Sequence, residues 1–225
     1  MAAILFDIGG PILPEEELYE VYLGTLKSAL RHVGIPLSDE EFDAAVERSI
    51  LSFVPSLTKA VAWQFTKPDR ARCLAVVAEG RSRFGKSGRE RAVRPGIAEL
   101  IESLSGKHKL ALAANTSTNQ ALKGHDLLQW FDSVEVSGDL DFAKPDPRFF
   151  LHILGNLGAR PEDAIMIGDR LDNDIIPAKM LGMKAILFRT GPYAILEPRT
   201  PDEVPDAVVA TVDELDGALR NWVSE

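Results

Sequence analysis

Short apolar runs that stop at a single polar residue punctuate this 225-residue chain. Ala3-Ile4-Leu5-Phe6 stops at Asp7, Leu110-Ala111-Leu112-Ala113-Ala114 stops at Asn115, and Ala164-Ile165-Met166-Ile167 stops at Gly168-Asp169. Runs of four or five apolar residues have the length of buried strands, and the glycines and proline after Asp7 mark a turn. Ser133-Val134-Glu135-Val136, Ala185-Ile186-Leu187-Phe188 and Ala207-Val208-Val209 complete the set. Helical segments are expected between them, over Ile97–Leu104, Gln120–Trp130, Asp174–Leu181 and from Pro147 to about Leu157. Asp146 caps the Pro147 helix, and Thr211 with Glu214 caps a last one. Strands alternating with helices fold as an α/β domain with a mostly parallel sheet. Ligands of such sheets gather at the carboxyl ends of the strands. Asp7, Asn115 and Asp169 all lie just past such ends, so the fold should bring them together.

One block breaks the alternation. From Glu15 to about Phe84 the sequence is helical, with Leu18, Val21, Tyr22, Leu26, Ala29 and Leu30 at helical spacing. Gly34 and Pro36 end that helix. Ser38 and Glu41 form a capping box for the next. Further helices are expected around Ser56–Phe65 and Asp69–Phe84. The block separates the first strand from all the others, so residues 14–91 read as an inserted all-α domain. Residues 1–13 and 92–225 then form the α/β core, with Pro14 and the Gly85–Pro95 region as hinges.

The formal net charge of −9 would repel a polyphosphate backbone, which argues against a nucleic-acid partner. No apolar run is long enough to span a membrane. The first residues lack the basic start of a signal peptide, and a single cysteine, Cys73, allows no internal disulfide. A cytoplasmic location is the expectation. His32, His108, His125 and His152 are scattered, with no pair at zinc-ligand spacing.

Four ordered segments carry a resemblance. They are Phe6-Asp7-Ile8-Gly9-Gly10-Pro11-Ile12, Leu112-Ala113-Ala114-Asn115-Thr116, Ala143-Lys144-Pro145-Asp146-Pro147, and Ile167-Gly168-Asp169-Arg170-Leu171-Asp172-Asn173-Asp174-Ile175. Together they resemble the motifs of the haloacid dehalogenase-like superfamily, and the helical block lies where that family places a C1-type cap. The resemblance implies a Rossmann-like three-layer core with Asp7 as covalent nucleophile. It implies Mg2+ as cofactor, with Asp7, Asp169, Asp174 and the Gly9 carbonyl as ligands. Lys144 would neutralise Asp7 and a phosphate. Backbone N–H groups near Gly10, Asn115 and Thr116 would bind the substrate. A small phosphorylated metabolite is the implied substrate. A carboxylate nucleophile can accept a phosphoryl group and divide one hard displacement into two easier ones. On the cap, Lys59, Trp63, Gln64, Lys67 and Arg70 are candidates for substrate contact.

Two positions depart from the family pattern. The residue two beyond the nucleophile, commonly a second aspartate serving as general acid and base, is Gly9. The Ser or Thr usual before the Asn is Ala114. Loss of the acid favours leaving groups that need little protonation, such as acyl phosphates or anomeric sugar phosphates. Thr116 is a candidate to replace the hydroxyl. Two other readings compete with a phosphatase. A dehalogenase would displace halide from carbon with the same aspartate and no metal, and a non-catalytic member would only bind a ligand or partner.

Overall fold

The computed structural model describes residues 1–85, 92–115, 122, 125–136 and 140–223. The chain divides into two compact units, Met1–Glu15 with Arg91–Glu225, and Glu16–Glu90.

Among the described residues the first unit is built on six strands: β1 (Ala3–Phe6), β2 (Lys109–Ala114), β3 (Ser133–Val136), β4 (Ala164–Gly168), β5 (Lys184–Phe188) and β6 (Ala207–Val209). Every pairing is parallel, in the order β3-β2-β1-β4-β5-β6. β1 is fully buried in the middle, with Phe6 in register with Leu112 on one side and Ile167 on the other. The strands succeed one another from β1 to β3 on one side of β1, and from β4 to β6 on the other. The crevice past the ends of β1 and β4 is therefore the topological switch point, where open α/β sheets bind ligands. Asp7 and Asp169 stand at that point.

Helices cover the sheet. Ile4 and Phe6 share one buried cluster with Ile97 and Ile101 of α5 (Ile97–Leu104) and with Leu215 and Leu219 of α8 (Val212–Trp222). α6 (Pro147–Leu157) packs on β2 and β3. The Asp146 carboxylate accepts the Arg148 N–H at its start, with Pro147 in the first turn and Gly158 left-handed at its end. This is the parallel α/β core that the strand pattern implied and the Rossmann-like one that the resemblance implied.

Two elements differ from expectation. The segment read as a helix from Asp174 begins as a π-helical turn, Leu171–Ile175, and becomes α-helical only over α7 (Ile176–Met180). Pro177, which brings no N–H, sits at that change. Within Gln120–Trp130, the described residues hold only a 3-10 turn, Leu128–Trp130; residues 120, 121, 123 and 124 lie outside the description.

Among the described residues the second unit is built of helices: α1 (Glu16–His32), α2 (Asp39–Leu51), α3 (Leu57–Thr66) and α4 (Arg70–Gly85). The Ser38–Glu41 capping box forms in both directions. α1 and α4 approach closely because residue 80 is glycine, where a Cβ would stand 3.3 Å from the Leu26 Cα. Gln64 is committed inside this unit, donating to the Ala45 carbonyl and the Ser49 hydroxyl and accepting from Arg48. No helix among the described residues is long and apolar enough to cross a membrane.

Ile4 is wholly buried in the strand that carries Asp7. Ile4→Ala should cost about 2–5 kcal/mol, by lost apolar burial and the cavity left behind. A lower urea midpoint at unchanged slope is the expected result.

Candidate active site

The centre of the site is a buried lysine between two carboxylates. Lys144 Nζ lies 2.6 Å from Asp174 Oδ1 and 2.9 Å from Asp7 Oδ1, and its side chain is 2% exposed. Burial works against the ammonium charge, but the Asp174 and Asp7 carboxylates outweigh it and raise the Lys144 pKa. The lysine is a fixed positive charge here, and no solvated loop residue. Asn115 holds its backbone from both sides, accepting the Lys144 N–H and donating to the Lys144 carbonyl, each at 3.2 Å. The end of β2 thus fixes the loop that delivers the charge to the end of β1.

Asp7 continues the β1 ladder through its N–H to the Ile167 carbonyl at 2.8 Å. Asp174 is fully buried, and the π turn aims it inward: Oδ1 takes Lys144 and Oδ2 takes the Arg170 N–H at 3.1 Å. Burial raises its pKa, Lys144 pulls it back and Asp7 pushes it up, leaving it at about 6. An acid placed only to balance a helix dipole would face solvent, and Asp174 does not.

Asp169 is the least satisfied group. It is 2% exposed and its Oδ2 is buried without a hydrogen-bond partner. Its pKa stands well above the ordinary carboxylate value through burial first, then the charges of Glu15, Asp7 and Asp174. One carboxylate oxygen from each of Asp7, Asp169 and Asp174 lies within 4.8 Å of the others. This set suits a hard divalent cation with oxygen ligands, because a cation would supply the charge and the partner that Asp169 lacks.

Glycines make room for the acids. A Cβ at Gly168 would stand 2.4 Å from the Asp174 carboxyl, and one at Gly10 would stand 2.5 Å from the Asp169 Cβ. Gly10 also has a φ of 80°, which favours glycine. Its N–H donates to the Leu13 carbonyl at 2.9 Å, so a phosphate oxygen would compete for that donor. The turn Ile8–Leu13 closes on itself through Leu13 N–H to the Ile8 carbonyl at 2.8 Å. Thr116 lies outside the described residues.

Three neighbours had no sequence signal. Arg94 donates its side chain to the Gly10 carbonyl and to Thr190 Oγ1, and its backbone N–H to the Ile12 carbonyl. Arg170 pairs with Asp172 at 2.6 Å and stacks over Tyr193. Glu15 reaches back beside Gly9, its Oε1 2.5 Å from where a Cβ on residue 9 would be. Arg94, Glu15 and the Arg170–Tyr193 contact act through chain reversals that no local pattern encodes, whereas the Arg170–Asp172 pair lies within one turn.

Known proteins share this arrangement of chain. The profile of haloacid dehalogenase-like hydrolases matches residues 1–182. A glyceraldehyde 3-phosphate phosphatase from Methanopyrus kandleri is 27% identical over 235 residues, covering 99% of each chain. The crystal structure of a HAD phosphatase from Thermococcus onnurineus superposes with a TM-score of 0.64 at 28% identity, over 97% of this chain and 98% of that one. CbbY from Rhodobacter sphaeroides, solved with phosphate, shares the fold, with a TM-score of 0.66 at 24% identity over 96% of each chain.

The raised carboxylates set a sign for stability. A group whose pKa is higher folded than unfolded contributes fully below its unfolded value, and that contribution is lost as pH rises through the folded one. With divalent cations chelated, Asp174 alone should lower stability as pH rises from about 4 to about 6. Asp169 acts in the same direction. Melting temperatures across this range should fall less steeply in Asp169→Asn than in the wild type.

Proposed function

Because the chain belongs to the haloacid dehalogenase-like hydrolase family, we propose that it is a Mg2+-dependent phosphatase that transfers the phosphoryl group of a small metabolite to Asp7 and then to water. The observation that carries this reading is the unpartnered Asp169 oxygen beside a nucleophile-bound lysine. Asp7, Asp169, Asp174 and the Gly9 carbonyl would hold the Mg2+, which supplies the charge neutralisation a carboxylate needs to approach a phosphate dianion. Halide displacement from carbon brings no dianion to the nucleophile and has no use for this cluster. A full-length relative named for glyceraldehyde 3-phosphate supports a small phosphorylated substrate.

The chain's own residues then divide the work. Asp7 attacks phosphorus from the end of the central strand, where its backbone is held on the sheet. Lys144 neutralises Asp7 and would meet the transferring oxygens as a preset positive charge that needs no reorganisation. Asp174 orients Lys144, and Asn115 orients the Lys144 backbone. Gly10 lets Asp169 stand close to the loop that carries Asp7. Residues 14–91 serve in this reading as the cap that selects the substrate.

Hydrolysis of an aryl phosphate should require Mg2+ and fall to background in Asp7→Asn. Lys144→Met should lose about 10²–10³ in kcat/KM, the scale of removing one preset charge stabiliser. Acid quenching during turnover should trap a phosphoryl group on Asp7. Metal-independent halide release from a haloacid, with no phosphate released, would overturn the reading. Mg2+ should also raise the melting temperature of the wild type more than that of Asp169→Asn.

A further inference from the structure

Phosphoryl transfer to Asp7 leaves the departing oxygen with an electron pair and no proton. Lys144 is a poor donor, since two carboxylates hold its protons. Asp169 and Asp174 are buried and belong to the cation cluster. Residue 9, two beyond the nucleophile, has no side chain. Its side-chain space is nevertheless filled. A Cβ on Gly9 would meet Glu15 Oε1 at 2.5 Å, Cδ at 2.7 Å and Oε2 at 3.2 Å.

The turn between the two residues explains this approach. Leu13 N–H bonds the Ile8 carbonyl, Gly10 N–H bonds the Leu13 carbonyl, and Gly9 bridges Leu13. The chain therefore doubles back, and residue 15 returns alongside residue 9. Gly191 flanks the Glu15 stem, where a Cβ would lie 3.8 Å from the Glu15 Cβ. Glu15 is half-buried and stands outside the three-acid cluster.

We propose that Glu15 is the catalytic general acid and base of this site, supplying from the returning chain the carboxylate that Gly9 lacks. The assignment rests on the phosphatase reading. In the first step an Asp7 oxygen bonds to phosphorus and the bond from phosphorus to the leaving oxygen breaks. That oxygen keeps the electron pair and takes the proton of the Glu15 carboxyl. In the second step water bonds to phosphorus and gives one proton to the Glu15 carboxylate. The Asp7–phosphorus bond breaks, releasing hydrogen phosphate and restoring both side chains. With a proton donor in place, alkyl phosphates fall within reach, and the restriction to acidic leaving groups expected from Gly9 is lifted.

The test compares Glu15→Gln with wild type, in Mg2+, on p-nitrophenyl phosphate and on glycerol phosphate. General acid–base help is worth about 10²–10⁴. The variant should lose that factor on the alkyl ester and tenfold or less on release of the acidic nitrophenol. With the aryl ester, phosphoenzyme on Asp7 should accumulate, because the water step has lost its base. Gly9→Asp in a Glu15→Ala background should recover alkyl phosphate hydrolysis, the new side chain entering the vacated space. Equal losses on both esters with no phosphoenzyme accumulation, at unchanged melting temperature, would overturn the assignment, as would no loss at all. A wild type inactive on both esters in Mg2+ would remove the phosphatase reading and this proposal with it.

Discussion

A buried ammonium held by two carboxylates is the constraint that organises this molecule. Removing Lys144 from water is costly, and the cost is offset only if Asp7 and Asp174 both reach it. Those partners come from opposite sides of the switch point, one after the central strand and one from the turn after β4. Satisfying one lysine therefore fixes the ends of two strands and a loop relative to one another. The chain after β4 runs as a π turn, Leu171–Ile175, and from that turn Asp174 reaches the lysine. Function and fold share a single electrostatic knot, in which a substrate phosphate would find its positive charge already set.

The remaining acids set the opposite tension. Asp169 is buried without a partner for one oxygen, beside two other carboxylates of the cluster and Glu15. Native proteins rarely leave such a group unsatisfied, and exceptions gather where something is bound or transformed. The site is thus stable as protein through Lys144 and poised toward a cation through Asp169.

Much of this was legible in the order of residues. Each strand announces itself as a short apolar run, and the acid or amide after it marks the strand's carboxyl end. The strand pattern alone therefore groups Asp7, Asn115 and Asp169. Gly10 was legible as a turn residue and Gly168 as the end of a strand, but neither as room for Asp169 and Asp174, since that role exists only once strands are paired. Arg94 and Glu15 were silent for a different reason. Both act after the chain has doubled back, at contacts set by loop closure and not by helix or strand period. Glu15 also sat on the boundary of the helical block, where it read only as the first residue of that block.

Arg94 has a wider consequence. It follows the inserted helical block directly, and it grips the Gly10 and Ile12 carbonyls that precede that block, along with Thr190 and the Phe188 ring. Both ends of the excursion are therefore tied within the α/β unit itself. An insertion whose ends are already stapled imposes little extra loop-closure entropy on its host, whatever its length. The loop that carries Asp7 can then keep its geometry while the inserted module is lengthened, shortened or exchanged. On the proposed reading, chemistry and selectivity would be separately editable parts of one chain.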